Sequence, residues 1–150
     1  MKSLKLTNGQ RILLDNEDYV ILSKYKVFMS CGYAEVWKDG KHIRVHRLIT
    51  NAKKGEIIDH IDQNKLNNQK SNLRVCNKSQ NRMNCKPSGK SKYLGVAWNK
   101  NANKWQSQIK ANGKYKYLGL FEDELKAAKA YNEAAILYHK NFASLNSCVD

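Results

Sequence analysis

Between residues 4 and 45 the chain alternates short apolar and polar positions, a period-two pattern that predicts strands. The runs are "LKLTNGQRILL" and "YKVFMSCGYAEVWKDGKHIRVH", with Asn8-Gly9 and Asp39-Gly40 marking hairpin turns. They predict a small antiparallel β unit over residues 1–45. Around "VHRLIT" the pattern admits either a short helix or a strand. "EIID" then reads as a strand, "QNKLNNQKSN" as a polar loop, and a short helix is expected to begin near Asn77 or Ser79 and run through "QNRMN". "CKPSGKSK", with the only proline, has the composition of a linker, placed at 85–91.

Beyond the linker the pattern predicts β-β-β-α over 92–146. "KYLGVAWNK", "KWQSQIKA" and "KYKYLGLF" are strand-like and are separated by "NKNANK" and Asn112-Gly113. "EDELKAAKAYNEAAILYHK" follows as one amphipathic helix, with Ala128, Tyr131, Ala135 and Tyr138 spaced three, four and three apart. Asp123 is placed to cap it, and His139 and Lys140 suit the negative end of its dipole. Alternation turns Trp105, Ser107 and Ile109 toward the helix, and Lys104, Gln106, Gln108 and Lys110 outward. Tyr115 and Tyr117 share the outward surface; either side is open to Trp98.

Composition narrows the class. A chain of 150 residues with 41% hydrophobic content suits one domain or two small modules. No apolar run approaches the ~20 residues of a membrane helix, and the start lacks the apolar core of a secretory signal. A cytoplasmic protein is expected. The net charge of +14 is uneven: residues 1–40 carry +1, 41–91 carry +9, and 92–149 carry +5. That bias favours a polyanion, nucleic acid ahead of an anionic membrane, over charge that serves solubility alone. Cys31, Cys76, Cys85 and Cys148 form no C-x-x-C pair, so they are read as reduced, buried small hydrophobes rather than zinc ligands.

The stretch "IIDHIDQNKLNNQKSNLRV" (57–75) is polar beyond what a packing element needs. Asp62, Asn64, Asn67 and Asn68 favour turns and local bonds to backbone. Asp59, His60, Asn72 and Asn81 would be gathered by a strand, a loop and a helix. Singly, each has a bland reading: a turn or cap carboxylate, a half-buried imidazole, a structural amide, a solvated helix amide.

Together they resemble the HNH nuclease family, in particular its phage and intron-encoded homing endonucleases. The matching text is "VHRLIT…EIIDHIDQNKLNNQKSNLRVCNKSQNRMN". An Asp-His pair is followed by Asn72 twelve residues after His60, and by Asn81 twenty-one after it. The resemblance implies a ββα-metal unit over 46–84, with His60 as general base; an unperturbed imidazole, pKa about 6.5, is largely neutral at pH 7. It implies one divalent ion, Mg²⁺ or Mn²⁺, on oxygens of Asp59 and Asn81, and Asn72 as the residue that holds the loop and pitches His60. Arg47 is a phosphate-gripping candidate. His46 is read as structural, Asn84 as exposed or capping, and His42 and His139 as surface residues.

Residues 92–146 resemble the Apetala, or ethylene-response-factor, type of DNA-binding domain. The marks are Tyr93-x-Gly95-Val96, Trp105-x-x-x-Ile109, Leu118-Gly119-x-Phe121, Ala127-Ala128-x-Ala130-Tyr131, Ala134-Ala135 and Ala143-x-x-Asn146. The resemblance implies a sheet laid in the major groove, read out by Lys104, Gln106, Gln108, Lys110, Tyr115 and Tyr117. Plant members usually carry Arg where this chain has Leu94 and Ala97, so their site preference does not transfer.

The expected protein is α+β: a small antiparallel β unit, a ββα-metal nuclease unit, and a three-stranded antiparallel sheet packed on one helix. The expected activity is metal-dependent hydrolysis of double-stranded DNA to 5′-phosphate and 3′-hydroxyl ends, by a monomer with no protein partner. The rival is a DNA-binding regulator with an inert nuclease unit; an RNA-binding structural protein is a third class.

Overall fold

A computed structural model describes residues 1–87 and 89–148; Ser88, within the linker read at 85–91, lies outside the described residues. The chain forms two compact units, Met1–Lys78 and Ser79–Asp150. Both mix small antiparallel sheets with few helices. No described helix is long and apolar enough to cross a membrane.

The first unit runs β1 (Lys2–Lys5), β2 (Arg11–Leu14), α1 (Asn16–Leu22), β3 (Val27–Ser30), β4 (Tyr33–Lys38), β5 (Lys41–Arg44), α2 (Val45–Ile49), β6 (Ile57–His60) and β7 (Leu73–Cys76). β1 pairs with β2, β3-β4-β5 form a meander, and β6 pairs with β7, all antiparallel. The meander turns at Cys31-Gly32 and Asp39-Gly40, where both residues of each pair have positive φ: 47° and 77°, then 51° and 73°. That is the turn geometry whose twist matches a hairpin. Leu6, Ile12, Leu14, Leu22, Val27, Ala34, Val36 and Val45 form the core. The "VHRLIT" segment resolves as helix α2. Helix α1, absent from the sequence reading, buries Asp18 and Leu22, one turn apart.

β2 carries the unit's most consequential contact. Its Leu13 N–H donates to the Leu66 carbonyl at 2.8 Å, and the Asn68 N–H donates to the Leu13 carbonyl at 2.9 Å. The polar loop between β6 and β7 is thereby tied to a strand whose Ile12 and Leu14 are fully buried.

α3 (Lys78–Met83) opens at the end of the first unit, and its other residues belong to the second. There β8 (Val96–Asn99), β9 (Lys104–Ala111) and β10 (Lys114–Phe121) form an antiparallel sheet in the order β10-β9-β8, followed by α4 (Glu124–His139). Asn112-Gly113 makes the β9–β10 turn with φ of 52° and 79°. Asp123 caps α4, its Oδ1 accepting from Leu125 N–H at 2.6 Å. Ala127, Ala128, Ala134 and Ala135 are buried, small enough for the helix to lie close on the sheet. Asn146 closes the unit: its Oδ1 accepts from Leu94 N–H at 2.6 Å, and its Nδ2 donates to the Leu94 carbonyl at 3.2 Å.

Ser107, Ile109 and Ala111 of β9 are buried, while Lys110, Tyr115 and Tyr117 are exposed. Trp98 pairs with Trp105 across β8–β9 and meets its ring edge-on at 5.1 Å, so it shares the helix-facing side. Two expectations are corrected. His139 is buried rather than superficial, with Nε2 2.9 Å from the Lys110 carbonyl. Of the cysteines only Cys76 is buried; Cys31 sits in an exposed tight turn, Cys85 is exposed, and Cys148 is intermediate.

Candidate active site

β6 delivers Asp59 and His60, and β7 returns beside it with Asp59 opposite Arg74 and His60 opposite Leu73. Consecutive strand residues point to opposite faces, so Asp59 and His60 do not share one. Both are nearly enclosed, at 7% and 5% exposure. Arg74 donates to Asp59 Oδ2 from Nε at 2.9 Å and from Nη2 at 2.8 Å, which fixes the carboxylate and neutralises it.

The asparagines of the loop now have explicit work. Asn72 accepts from the Asp62 N–H at 3.0 Å, and its Nδ2 donates to Asp62 Oδ1 and to the Asn67 carbonyl, both at 2.8 Å. Its own carbonyl accepts from Ile61 N–H at 2.9 Å, directly after His60. Asp62 further accepts from Asn64 N–H at 2.8 Å and from Asn67 Nδ2 at 2.7 Å. Burial works to raise the Asp62 carboxyl, but the bonds from Asn67, Asn64 and Asn72 outweigh it and hold it below its ordinary value. A loop of this composition is rigid because nearly every amide closes a local ring.

Asn68 was read from sequence only as a turn residue. At 1% exposure it is among the most enclosed polar groups, and its Oδ1 lies 3.4 Å from His60 Nε2. Its Nδ2 donates to the Lys65 carbonyl at 3.2 Å, which sets the orientation of the amide. The oxygen facing the imidazole can only accept, so in the neutral ring the bond favours hydrogen on Nε2. Burial lowers the His60 pKa; Asn68, Asp62 and Asp59 oppose that, and the Lys65 ammonium adds to it. The imidazole is therefore held in its basic, uncharged form at neutral pH.

His46, on α2, stands edge-on to His60 with centroids 5.1 Å apart. Burial first, then His60, Arg44 and Arg47, push its pKa down to about 4. Arg47 donates from Nη1 to the Glu56 carbonyl at 2.6 Å, and from Nη2 to the carbonyls of Lys53 at 2.8 Å and Ala52 at 3.4 Å. It thus holds the turn leading into β6, and only its remaining N–H donors can reach a phosphate.

Asp59, His60 and Asn72 are brought together in the first unit, whereas Asn81 lies on α3 in the second. Among the described residues no three His, Cys, Asp or Glu side chains cluster as a metal cage. What Asp59 offers is a hard, enclosed carboxylate, held by Arg74, on the residue before His60. That donor suits a cation such as Mg²⁺, which takes one or two protein oxygens and keeps water and phosphate for the rest. Sequence reasoning missed Arg74, Asn68 and Tyr33. Pairing "EIID" with "NLRV" would have set Arg74 opposite Asp59; nothing local marks Tyr33, whose ring lies 6.4 Å from that of His60.

Residues 44–83 match a family model described as HNH endonuclease. An uncharacterized HNH endonuclease, L560 of Acanthamoeba polyphaga mimivirus, is 34% identical over 137 residues, covering 87% of this chain and 71% of that protein. Protein 3.8 of Escherichia phage T7 is 36% identical over 90 residues, covering 57% of this chain and 74% of its own.

Proposed function

Because the chain belongs to the HNH endonuclease family, and is in that sense a nuclease, we propose that it is a site-preferring, divalent-metal-dependent DNA endonuclease of the homing type. We assign hydrolysis of double-stranded DNA to residues 46–84 and targeting to 92–146. The observation that carries this reading is the placement of His60: an enclosed imidazole, oriented by Asn68, at the start of a loop that Asn72 clasps.

His60 takes a proton from water on its unprotonated nitrogen, and the resulting hydroxide attacks phosphorus. The P–O3′ bond breaks and the departing O3′ takes a proton from solvent, leaving a 5′-phosphate and a 3′-hydroxyl, while His60 returns its proton to solvent. Asn68 holds the ring's rotation and tautomer, and Asn72 holds the chain that follows it. Asp59 is the assigned carboxylate ligand; on spacing alone, Asn81 is the second oxygen ligand. A divalent ion bound there supplies charge stabilisation to the phosphate and the departing oxygen. Tyr115 and Tyr117, with Lys104, Gln106, Gln108 and Lys110, form the open face of a sheet in an Apetala-like module. The exposure of Lys110, Tyr115 and Tyr117 and the chemistry of all six support a duplex-binding surface.

Incubating supercoiled plasmid and genomic DNA with Mg²⁺ or Mn²⁺, with and without chelator, tests the activity. Nicked or linear product is expected only with metal, and His60→Ala should abolish it. Equal cutting by parent and variant would remove His60 from its role. Specific binding without any cutting would favour the regulator reading.

A further inference from the structure

Tyr33 opens β4 from the tight Cys31-Gly32 turn and carries two cations on its ring. The Arg44 guanidinium lies 4.6 Å from its centroid and the Lys65 ammonium 4.2 Å. The same ring lies 5.2 Å from that of His46 and 6.4 Å from that of His60. Arg44 has an acidic neighbour, Glu35 Oε1, 3.6 Å from its Nε. No described carboxylate forms an ion pair with Lys65.

Two like charges drawn to one aromatic ring repel, and the ring quadrupole offsets only part of that. Lys65 is also tied to the base through Asn68, whose Nδ2 donates to the Lys65 carbonyl at 3.2 Å and whose Oδ1 lies 3.4 Å from His60 Nε2. Arg44 and Lys65 are exposed, while His46 and His60 are enclosed. An exposed ammonium near the base, with no ion-pair partner among the described residues, is an arrangement completed by an anionic substrate.

We propose that Tyr33, Arg44 and Lys65 form a phosphodiester seat beside His60, and that Lys65 contacts the scissile phosphate. The proposal rests on the nuclease reading above and adds residues that the sequence pattern did not supply. Tyr33 is the positioning residue: its ring keeps both cations near the imidazole. The phosphate grip expected of Arg47 falls instead to Arg44 and Lys65, whose charged ends are not tied to backbone carbonyls.

The test uses the full chain and compares Lys65→Met and Lys65→Arg with the parent. Lys24→Met, at an exposed position in the loop after α1, controls for net charge. Single-turnover cleavage is measured with protein in excess and saturating, and duplex affinity is measured separately. Lys65→Met is expected to slow cleavage on the order of 100-fold with affinity weakened less than about threefold. Lys65→Arg, which keeps the charge, should stay within about tenfold of the parent. Lys24→Met should cut as the parent does. Parental cleavage by Lys65→Met, or a loss wholly in affinity, overturns the seat. Should the parent cut no DNA, the nuclease reading falls, and NMR judges the seat separately. A short duplex should shift the His46 and His60 imidazole C–H signals in the parent and not in Lys65→Met; equal shifts in both overturn it.

Discussion

Arg74 stands directly across the β6–β7 pair from Asp59 and holds its carboxylate with two charge-assisted bonds of 2.8 and 2.9 Å. The pair is mostly enclosed, with side-chain exposures of 17% and 8%. Removing one partner strands the other, which costs about 3 kcal/mol when the survivor stays charged and buried. A cation at Asp59 replaces the missing countercharge. Arg74→Gln is therefore expected to melt well below the parent in chelator, and to regain more stability than the parent when Mg²⁺ or Mn²⁺ is added. Thermal melts with and without metal check this. Equal metal-induced shifts in both proteins would remove Asp59 from the ligand set.

His46 gives the first unit an acid sensitivity that begins above the carboxylate range. Its folded pKa is about 4 against an unfolded value of 6.5. Between those values the unfolded chain binds a proton that the folded chain excludes, so stability falls as pH drops through the window. The shift corresponds to about 3 kcal/mol when complete. His60, also lowered by burial, contributes with the same sign. Asp15 and Asp62, both lowered from 3.8, withdraw their stabilisation only as pH falls further. His46→Phe keeps an aromatic ring there and should flatten, but not abolish, the loss between pH 6.5 and 4. Denaturant midpoints measured across that range decide it; an unchanged slope would show that His46 titrates normally.

The proposed DNA face predicts a salt signature. Lys104 lies near Glu122, 3.4 Å away, while Lys110 lies over the Tyr115 ring at 5.3 Å. If each meets a phosphate, replacing either with Ala should reduce the slope of log affinity against log salt by about 1. Gln108→Ala, carrying no charge, should leave the slope alone and change preference among sequences by about 1–3 kcal/mol. Electrophoretic or fluorescence titrations at several salt concentrations separate these outcomes. Parallel salt lines for both Lys variants and the parent would place DNA elsewhere.

The parts legible in the sequence are those set by local rules. Asn-Gly and Asp-Gly turns, the Asp123 cap, the Ala-rich helix and the inward Ser107 and Ile109 all follow from spacing and turn chemistry. So does the bonding habit of the asparagine loop, since such amides close rings with nearby backbone. The parts that escaped depend on register or distance along the chain. Arg74 reaches Asp59 only because β7 returns in one particular register. Asn68 becomes an imidazole partner only because Leu13, 55 positions earlier, pins its backbone. Tyr33 meets His60 from another sheet altogether. Helix α1 escaped because seven residues with two buried positions carry too little periodicity to stand out. His139 looked like a charged end to a helix; the Lys110 carbonyl that holds it belongs to β9.

Gly95 and Tyr131 define how tightly the second unit closes. Gly95 has a φ of +70°, and its carbonyl accepts from Gln108 N–H at 2.9 Å. A Cβ there would run into the Tyr131 ring and sit 2.5 Å from the Gln108 carbonyl oxygen. Two independent penalties therefore meet at one position: a left-handed backbone that suits glycine, and a collision with a ring and a strand. Gly95→Ala is expected to destabilise this unit by more than about 3 kcal/mol. Adding Tyr131→Ala removes the ring but neither the strand contact nor the backbone strain. It also empties part of a core built from Leu94, Ile109, Ala134 and Ala135. The double variant should therefore be no more stable than Gly95→Ala alone. Denaturant unfolding followed by Trp98 and Trp105 fluorescence checks this, because both indoles lie in the same sheet. Recovery to parental stability in the double variant would show that the ring alone sets the requirement for glycine.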